Sequence, residues 1–191
     1  MLISTNILKN DHSSFNYIVT NNTQSIYTQV TEALSKKVSC FNLIGSYGTG
    51  KSSFLVAMES TVTGKTQYFE GSKIAKRPHF IKVIGDPKQS LRTLLSKTLK
   101  VEDNVEAVTK AITELTQKKD AVFIIIDEFG KCLEYALLNN PKEETYFFQQ
   151  IAESVNDLNS CVLITTQHQN FDAYTAGASE SDAVEWEKVS G

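Results

Sequence analysis

The chain has 191 residues, 41% of them hydrophobic and 21% charged, with a net charge of −3. That length suits one domain with a substantial core, and the acidic balance argues against a broadly basic nucleic-acid-binding surface while leaving room for a local basic patch. No apolar run approaches the roughly 18 residues of a membrane span, and the N-terminus lacks the apolar stretch of a signal peptide.

Residues 1–22 are polar and irregular and read as an N-terminal arm or extension ahead of one domain over residues 23–191. Ile26, Val30, Leu34 and Val38 recur at helical spacing across residues 23–38. Residues 40–44 read as a strand running into a glycine-rich loop, and residues 52–58 as the start of a helix. Residues 66–70 fit a short strand or a loop. Residues 79–84 form a second strand, ended by Gly85-Asp86-Pro87. Leu91, Leu94, Leu95 and Leu99 mark one helix; Val101, Val105, Val108, Ile112 and Leu115 mark another. Residues 122–126 are five apolar residues in a row, the pattern of a strand buried on both faces. Asn140-Pro141-Lys142-Glu143 reads as a helix start, with proline at the first helical position and an acid at the third. Phe147, Ile151, Val155 and Leu158 line that helix, and residues 161–165 give one more buried strand. Strands alternating with helices imply an α/β fold, a parallel sheet between two layers of helices. The three cysteines form neither a C-x-x-C pair nor a zinc spacing. Cys40 and Cys161 fall in apolar runs where buried free thiols are common, which points to a reducing compartment, the cytoplasm.

The loop after the first strand carries the strongest chemistry. Residues 45–52 read G-S-Y-G-T-G-K-S and fit the P-loop pattern G-x-x-x-x-G-K-[ST] at every fixed position. Gly45, Gly48 and Gly50 supply backbone freedom. The N–H groups of Gly48, Thr49, Gly50, Lys51, Ser52 and Ser53 are expected to face the β- and γ-phosphates, helped by about half a positive charge at the helix N-terminus. Lys51 would contact phosphate oxygens, and Ser52 would be the first Mg²⁺ ligand. A plain surface turn is the competing reading, and the strand–loop–helix setting argues against it. Residues 123–128, F-I-I-I-D-E, are an apolar strand ending in two acids and resemble a Walker B motif. Asp127 would hold Mg²⁺, directly or through water, and Glu128 would orient and deprotonate the attacking water. The alternative is a solvated acidic turn after a core strand. Residues 162–168, V-L-I-T-T-Q-H, are a third apolar strand with a polar end. His168 there is either a catalytic group or a surface polar residue.

With these motifs the chain resembles P-loop ATPases of the additional-strand class, the AAA+ and STAND families, over residues 23–168. The resemblance implies a three-layer α/β/α core with strand order 5-1-4-3-2 and ATP with Mg²⁺ at the carboxyl ends of the strands. It makes Gln167 the sensor residue near the γ-phosphate, at a position where STAND proteins often have arginine. A looser likeness to ATPases of bacterial anti-phage defence rests on D-E-F-G-K at 127–131, on 167–169 and on E-W-E-K-V at 185–189.

What the sequence lacks also matters. Arginine occurs only at Arg77 and Arg92, so the finger and lid arginines usual in AAA+ enzymes are missing. A finger is worth ~10³ to 10⁵ in turnover. After His168 the one cation is Lys188, a poor substitute or simply a solvated lysine. Residues 169–191 carry no visible fifth strand or lid, and Trp186 is their one obvious core candidate. The domain is therefore expected to be cut short at its C-terminus, or to borrow its finger from a partner chain or from another copy in a homo-oligomer. No N-K-x-D guanine motif, L-S-G-G-Q signature, helicase arginine set or kinase pattern occurs. Two functions fit: the hydrolytic core of an oligomeric AAA+-like motor acting on a protein or nucleic-acid client, or a STAND-like nucleotide-dependent switch with slow hydrolysis.

Overall fold

The computed structural model describes residue 8 and residues 15–36, 38–71 and 75–175. The expectations placed on Trp186, Lys188 and the segment 185–189 lie outside the described residues. Eleven elements follow in chain order: α1 (Asn21–Lys36), β1 (Cys40–Ile44), α2 (Lys51–Thr63), β2 (Pro78–Ile84), α3 (Leu91–Leu99), α4 (Val105–Lys118), β3 (Ala121–Asp127), α5 (Phe129–Leu138), α6 (Pro141–Asn156), β4 (Cys161–Gln167) and α7 (Phe171–Thr175). The four strands form one parallel sheet in the order β1-β4-β3-β2. This is the predicted order without its fifth strand, which is not present among the described residues.

The sheet separates two apolar layers because side chains alternate along each strand. On β3, Phe123 and Ile125 join Val162 and Ile164 of β4 beneath α1 and α2, where Val30, Leu55 and Met58 pack. Val122, Ile124 and Ile126 face the other way, against Leu95 of α3, Ile112 of α4, Leu133 of α5 and Phe147 of α6. Every residue of β3 and β4 is buried, as the unbroken apolar runs require of central parallel strands.

Several boundaries differ from the sequence expectation, each for a local reason. α1 stops at Lys36, and Val38 lies beyond it, 53% exposed, so the helical stripe ends at Leu34. Val101 precedes α4, whose cap is Asn104: its side chain accepts the Ala107 N–H at 2.8 Å. Residues 66–70 form no strand, yet Phe69 is fully buried and stacks on Tyr27 with ring centroids 4.6 Å apart. Cys40 is exposed rather than buried, because β1 is an edge strand among the described residues. Cys132 and Cys161 are buried, and burial pushes both thiols up to about 12, so they are inert. α6 begins as predicted, with Asn140 as cap, proline at the first position and the Asn140 side chain accepting the Glu143 N–H. α5 is not among the elements that periodicity predicts. Its start at Glu128 has no side-chain cap, so nothing in the sequence marks the boundary. Among the described residues no helix is long and apolar enough to cross a membrane.

One acid is carried into the core. Glu144 on α6 is 4% exposed; its carboxylate accepts the Leu91 N–H, while Oε2 has no hydrogen-bond partner among the described residues. Burial pushes its pKa up to about 7; Arg92 opposes the rise, and the neighbouring acids Glu143 and Asp103 add to it. An acid whose native pKa lies above its unfolded value holds its proton more tightly when folded. Its contribution is therefore full below the ordinary value of 4.5 and is lost as pH rises through about 7. Glu144→Gln keeps the shape without the charge and is expected to stabilise the fold by about 2 kcal/mol near pH 8, with little effect near pH 4. Thermal melts at the two pH values check this; equal shifts at both would contradict it.

Candidate functional site

Parallel strands of this kind present their carboxyl ends as a rim, and ligands of open α/β sheets bind there. A cleft of about 570 Å³ lies at that rim, between the loop after β1 and the ends of β3 and β4. It brings together Gly48, Gly50, Lys51, Ser52 and Ser53 with Asp127, Glu128 and Gln167. Of the residues the sequence singled out, Gly45 and Thr49 do not line it. Thr49 instead ties the loop to itself, its hydroxyl donating to the Ser46 carbonyl at 2.8 Å. Gly45 anchors the loop to the sheet, its N–H donating to the Gln167 carbonyl at 3.1 Å.

The loop is shaped by its glycines. Gly48 and Gly50 have φ of 78° and 86°, a left-handed conformation that side chains disfavour, and no atom lies within 4 Å of where a Cβ would stand. Gly50 is the N-cap of α2 and offers no side chain, so the first N–H groups of the helix open into the cleft. Lys51 curls over the loop, donating to the Ser46 carbonyl at 3.0 Å and to that of Gly45. Burial pulls its pKa down, while Asp127 and Glu128 push it up.

Opposite the loop, the acids are held by a chain of hydrogen bonds. Asp127, the last residue of β3, is 1% exposed. Its Oδ2 accepts from Ser52 Oγ at 2.8 Å and its Oδ1 from Thr166 Oγ1 at 2.6 Å. The same Thr166 hydroxyl accepts the Glu128 N–H at 3.0 Å. Thr166 is the positioning residue that sequence reasoning missed; its signal is a polar side chain, between Thr165 and Gln167, at the buried end of an apolar strand. Glu128 is left-handed without being glycine, at φ 56° and ψ 39°. Non-glycine residues adopt that conformation uncommonly; the other described case is Lys100, which caps the end of α3. The end of β2 closes against it: Gly85 donates its N–H to the Asp127 carbonyl at 2.7 Å, and a Cβ on Gly85 would overlap the Glu128 carbonyl oxygen.

Gln167 ends β4 inside the cleft. It is 1% exposed, and neither its amide nitrogen nor its amide oxygen has a hydrogen-bond partner among the described residues. Buried amides are almost always satisfied, so the arrangement suits a ligand that supplies both bonds. His168 beside it stacks on Tyr47 of the loop, with centroids 4.5 Å apart, and bonds the Tyr174 hydroxyl through Nδ1 at 2.7 Å.

Among the described residues, two lysines line the cleft, Lys51 and Lys131. Lys131, on the first turn of α5, forms an ion pair with Glu128, which raises its pKa. Neither arginine of the chain lines the cleft. Arg77 pairs with Asp120 at the opposite end of the sheet, and Arg92 with Asp103 and Glu143. The oxygens of Ser52 and Asp127 suit Mg²⁺, a hard cation usually held by one or two protein oxygens together with phosphates. The uncapped helix start and the unpartnered Gln167 amide suit a polyphosphate beside it.

The fold and the family both have counterparts. No curated protein matches the chain. Among solved structures, the chain is similar to the Walker-type ATPase PABY2304 of Pyrococcus abyssi, with a TM-score of 0.54 at 14% identity, covering 86% of this chain and 50% of that one. It is also similar to Drosophila ORC bound to AT-rich DNA and Cdc6, at TM-score 0.48 and 13% identity over 87% of this chain and 53% of that one. A further match is AMPPCP-bound DnaA from Aquifex aeolicus, at 0.46 and 16% over 90% of this chain and 46% of that one. The chain thus spans about half the length of these three structures. The sequence model of Novel STAND NTPase 1 matches residues 21–188. The chain belongs to this nSTAND1 family of STAND NTPases.

Proposed function

We propose that the cleft binds Mg²⁺-ATP and that the domain works as a nucleotide-dependent switch with slow hydrolysis. The observation that carries this is the 2.8 Å bond from Ser52 Oγ to Asp127 Oδ2, which joins the glycine loop to the acidic strand end at one point. The N–H groups of Gly48, Gly50, Lys51, Ser52 and Ser53 hold the β- and γ-phosphates, and Lys51 turns from the loop carbonyls to the phosphate oxygens. Gly45 and Thr49 brace the loop. Ser52 and Asp127 would hold Mg²⁺, which when bound neutralises charge between the β- and γ-phosphates. Glu128 takes a proton from water as the oxygen bonds the γ-phosphorus. The bond from that phosphorus to the bridging oxygen breaks, and ADP leaves with the electron pair, giving ADP and inorganic phosphate. Gln167 donates to the γ-phosphate through Nε2 and orients the water through Oε1.

The switch reading is supported by membership of a STAND family and by the position of both arginines away from the cleft. Faster turnover would need an arginine from a partner chain or a second copy, as in an oligomeric motor acting on a protein or nucleic-acid client. The ATPase rate measured against protein concentration separates the two. The switch predicts a flat rate far below about 10 s⁻¹ with saturable ATP binding. A rate that climbs steeply with concentration would instead support a motor with a site shared between chains. Three free cysteines among the described residues support a reducing compartment, for which we propose the cytoplasm.

A further inference from the structure

We propose that Lys131 is a second phosphate-binding cation supplied by the chain itself, whose ammonium exchanges the Glu128 carboxylate for the γ-phosphate and so couples arrival of a triphosphate to release of the base. The proposal rests on the ATP-binding reading above.

The argument starts from charge. Among the described residues, the formally charged side chains lining the cleft are Lys51, Lys131, Asp127 and Glu128, two of each sign. A triphosphate adds several negative charges, and the one that distinguishes ATP from ADP sits at the γ-phosphate. Lys51 is the loop lysine. Neither arginine reaches the cleft, since Arg77 and Arg92 are engaged elsewhere. That leaves Lys131 as the second cation facing the space where the γ-phosphate would sit, one helical turn beyond the acid that would activate the water.

Geometry then gives the exchange. Lys131 is in the first turn of α5, which starts directly after Glu128, and its backbone N–H donates to the Glu128 carbonyl at 2.9 Å. This fixes the root of the side chain at the cleft wall while its four-carbon stem stays free to swing. Its ammonium pairs with the Glu128 carboxylate, with the two side chains 39% and 31% exposed. The paired Glu128 oxygen is buried while both side chains stay partly exposed, so water still reaches the ammonium and holding two long side chains in one geometry costs entropy. A phosphate oxygen carrying more charge in the same cleft is a stronger partner for an ammonium, which binds phosphate as a point charge. Glu128 cannot accept a proton from water efficiently while its carboxylate is engaged by a cation. Transfer of Lys131 to the γ-phosphate removes that engagement, so the same movement selects ATP and frees the base. The backbone of Glu128 is held meanwhile by Thr166 and by its left-handed turn, so the exchange leaves the backbone in place.

The test compares equilibrium affinities for ATP and for ADP, both with Mg²⁺, in the wild type, Lys131→Ala, Lys131→Arg and Lys51→Ala. Expected is a fall of at least about 10-fold in the ATP-to-ADP affinity ratio for Lys131→Ala, by weaker ATP binding alone, the size of one lost charged hydrogen bond. ADP affinity should stay within about two-fold, which also reports that the variant is folded, and Lys131→Arg should restore most of the ratio. An unchanged ratio, or tighter ATP binding, in Lys131→Ala would overturn the proposal and leave Lys131 a mere partner of Glu128. If the wild type bound neither nucleotide, or Lys51→Ala bound both normally, the nucleotide reading itself would fail, and this proposal with it.

Discussion

Lys51→Ala is expected to lose ATP affinity by roughly 100-fold or more with little change in thermal stability. The lysine stands at the first position of α2 and bonds two carbonyls of its own loop. Those carbonyls can turn to water when it is gone, so the fold loses little. The triphosphate loses far more. It would sit against Asp127 and Glu128 with one cation removed from a cleft lined, among the described residues, by two lysines. A hydrogen bond to a charged group is worth about 1.5–3 kcal/mol, and a lysine between two phosphates makes more than one. Arginine should not fully rescue, because a planar guanidinium fork donates in a different geometry from a compact ammonium. Calorimetric titration with ATP and Mg²⁺ checks this; affinity within about three-fold of wild type would count against the assigned role.

Glu128→Gln should separate binding from chemistry. The variant is expected to keep ATP affinity within a few-fold while turnover falls by about 10² to 10⁴, the usual worth of a positioned general base. Glutamine has the same shape, and the backbone of residue 128 is fixed by its N–H bond to Thr166 rather than by its side chain. What is lost is the carboxylate that accepts the proton. Removing that charge also releases Lys131, so ATP affinity should rise slightly rather than fall. Single-turnover hydrolysis measures the chemical step; an unchanged rate would remove Glu128 from the role of base.

The parts of this site legible in the sequence are those whose physics is local. Gly48 and Gly50 announce a backbone no other residue adopts easily, and the strand and helix flanking them were readable from apolar runs. The buried strand ending in Asp127 and Glu128 was equally legible, since five apolar residues in a row suit a central parallel strand. The sheet order followed from family resemblance rather than from any residue pattern. What the sequence hid depends on contacts between distant segments. Thr166 holds Asp127 across neighbouring strands, and no spacing along the chain encodes that. Lys131 was invisible as a site residue because α5 begins without a capping side chain at the left-handed Glu128. Cys40 looked buried because its run is apolar, yet an edge strand exposes it. Gln167 was named on resemblance alone; its unpartnered, buried amide gives it a physical reason.

The most direct test is to identify the nucleotide that the chain retains. Wild type and Glu128→Gln would each be incubated with Mg²⁺ and ATP, passed through a desalting column, and the bound nucleotide quantified after denaturation. The account predicts about one nucleotide per chain in both, recovered as ADP from the wild type and as ATP from Glu128→Gln. Recovery of no nucleotide from either protein, confirmed by titration at millimolar ATP, would contradict it.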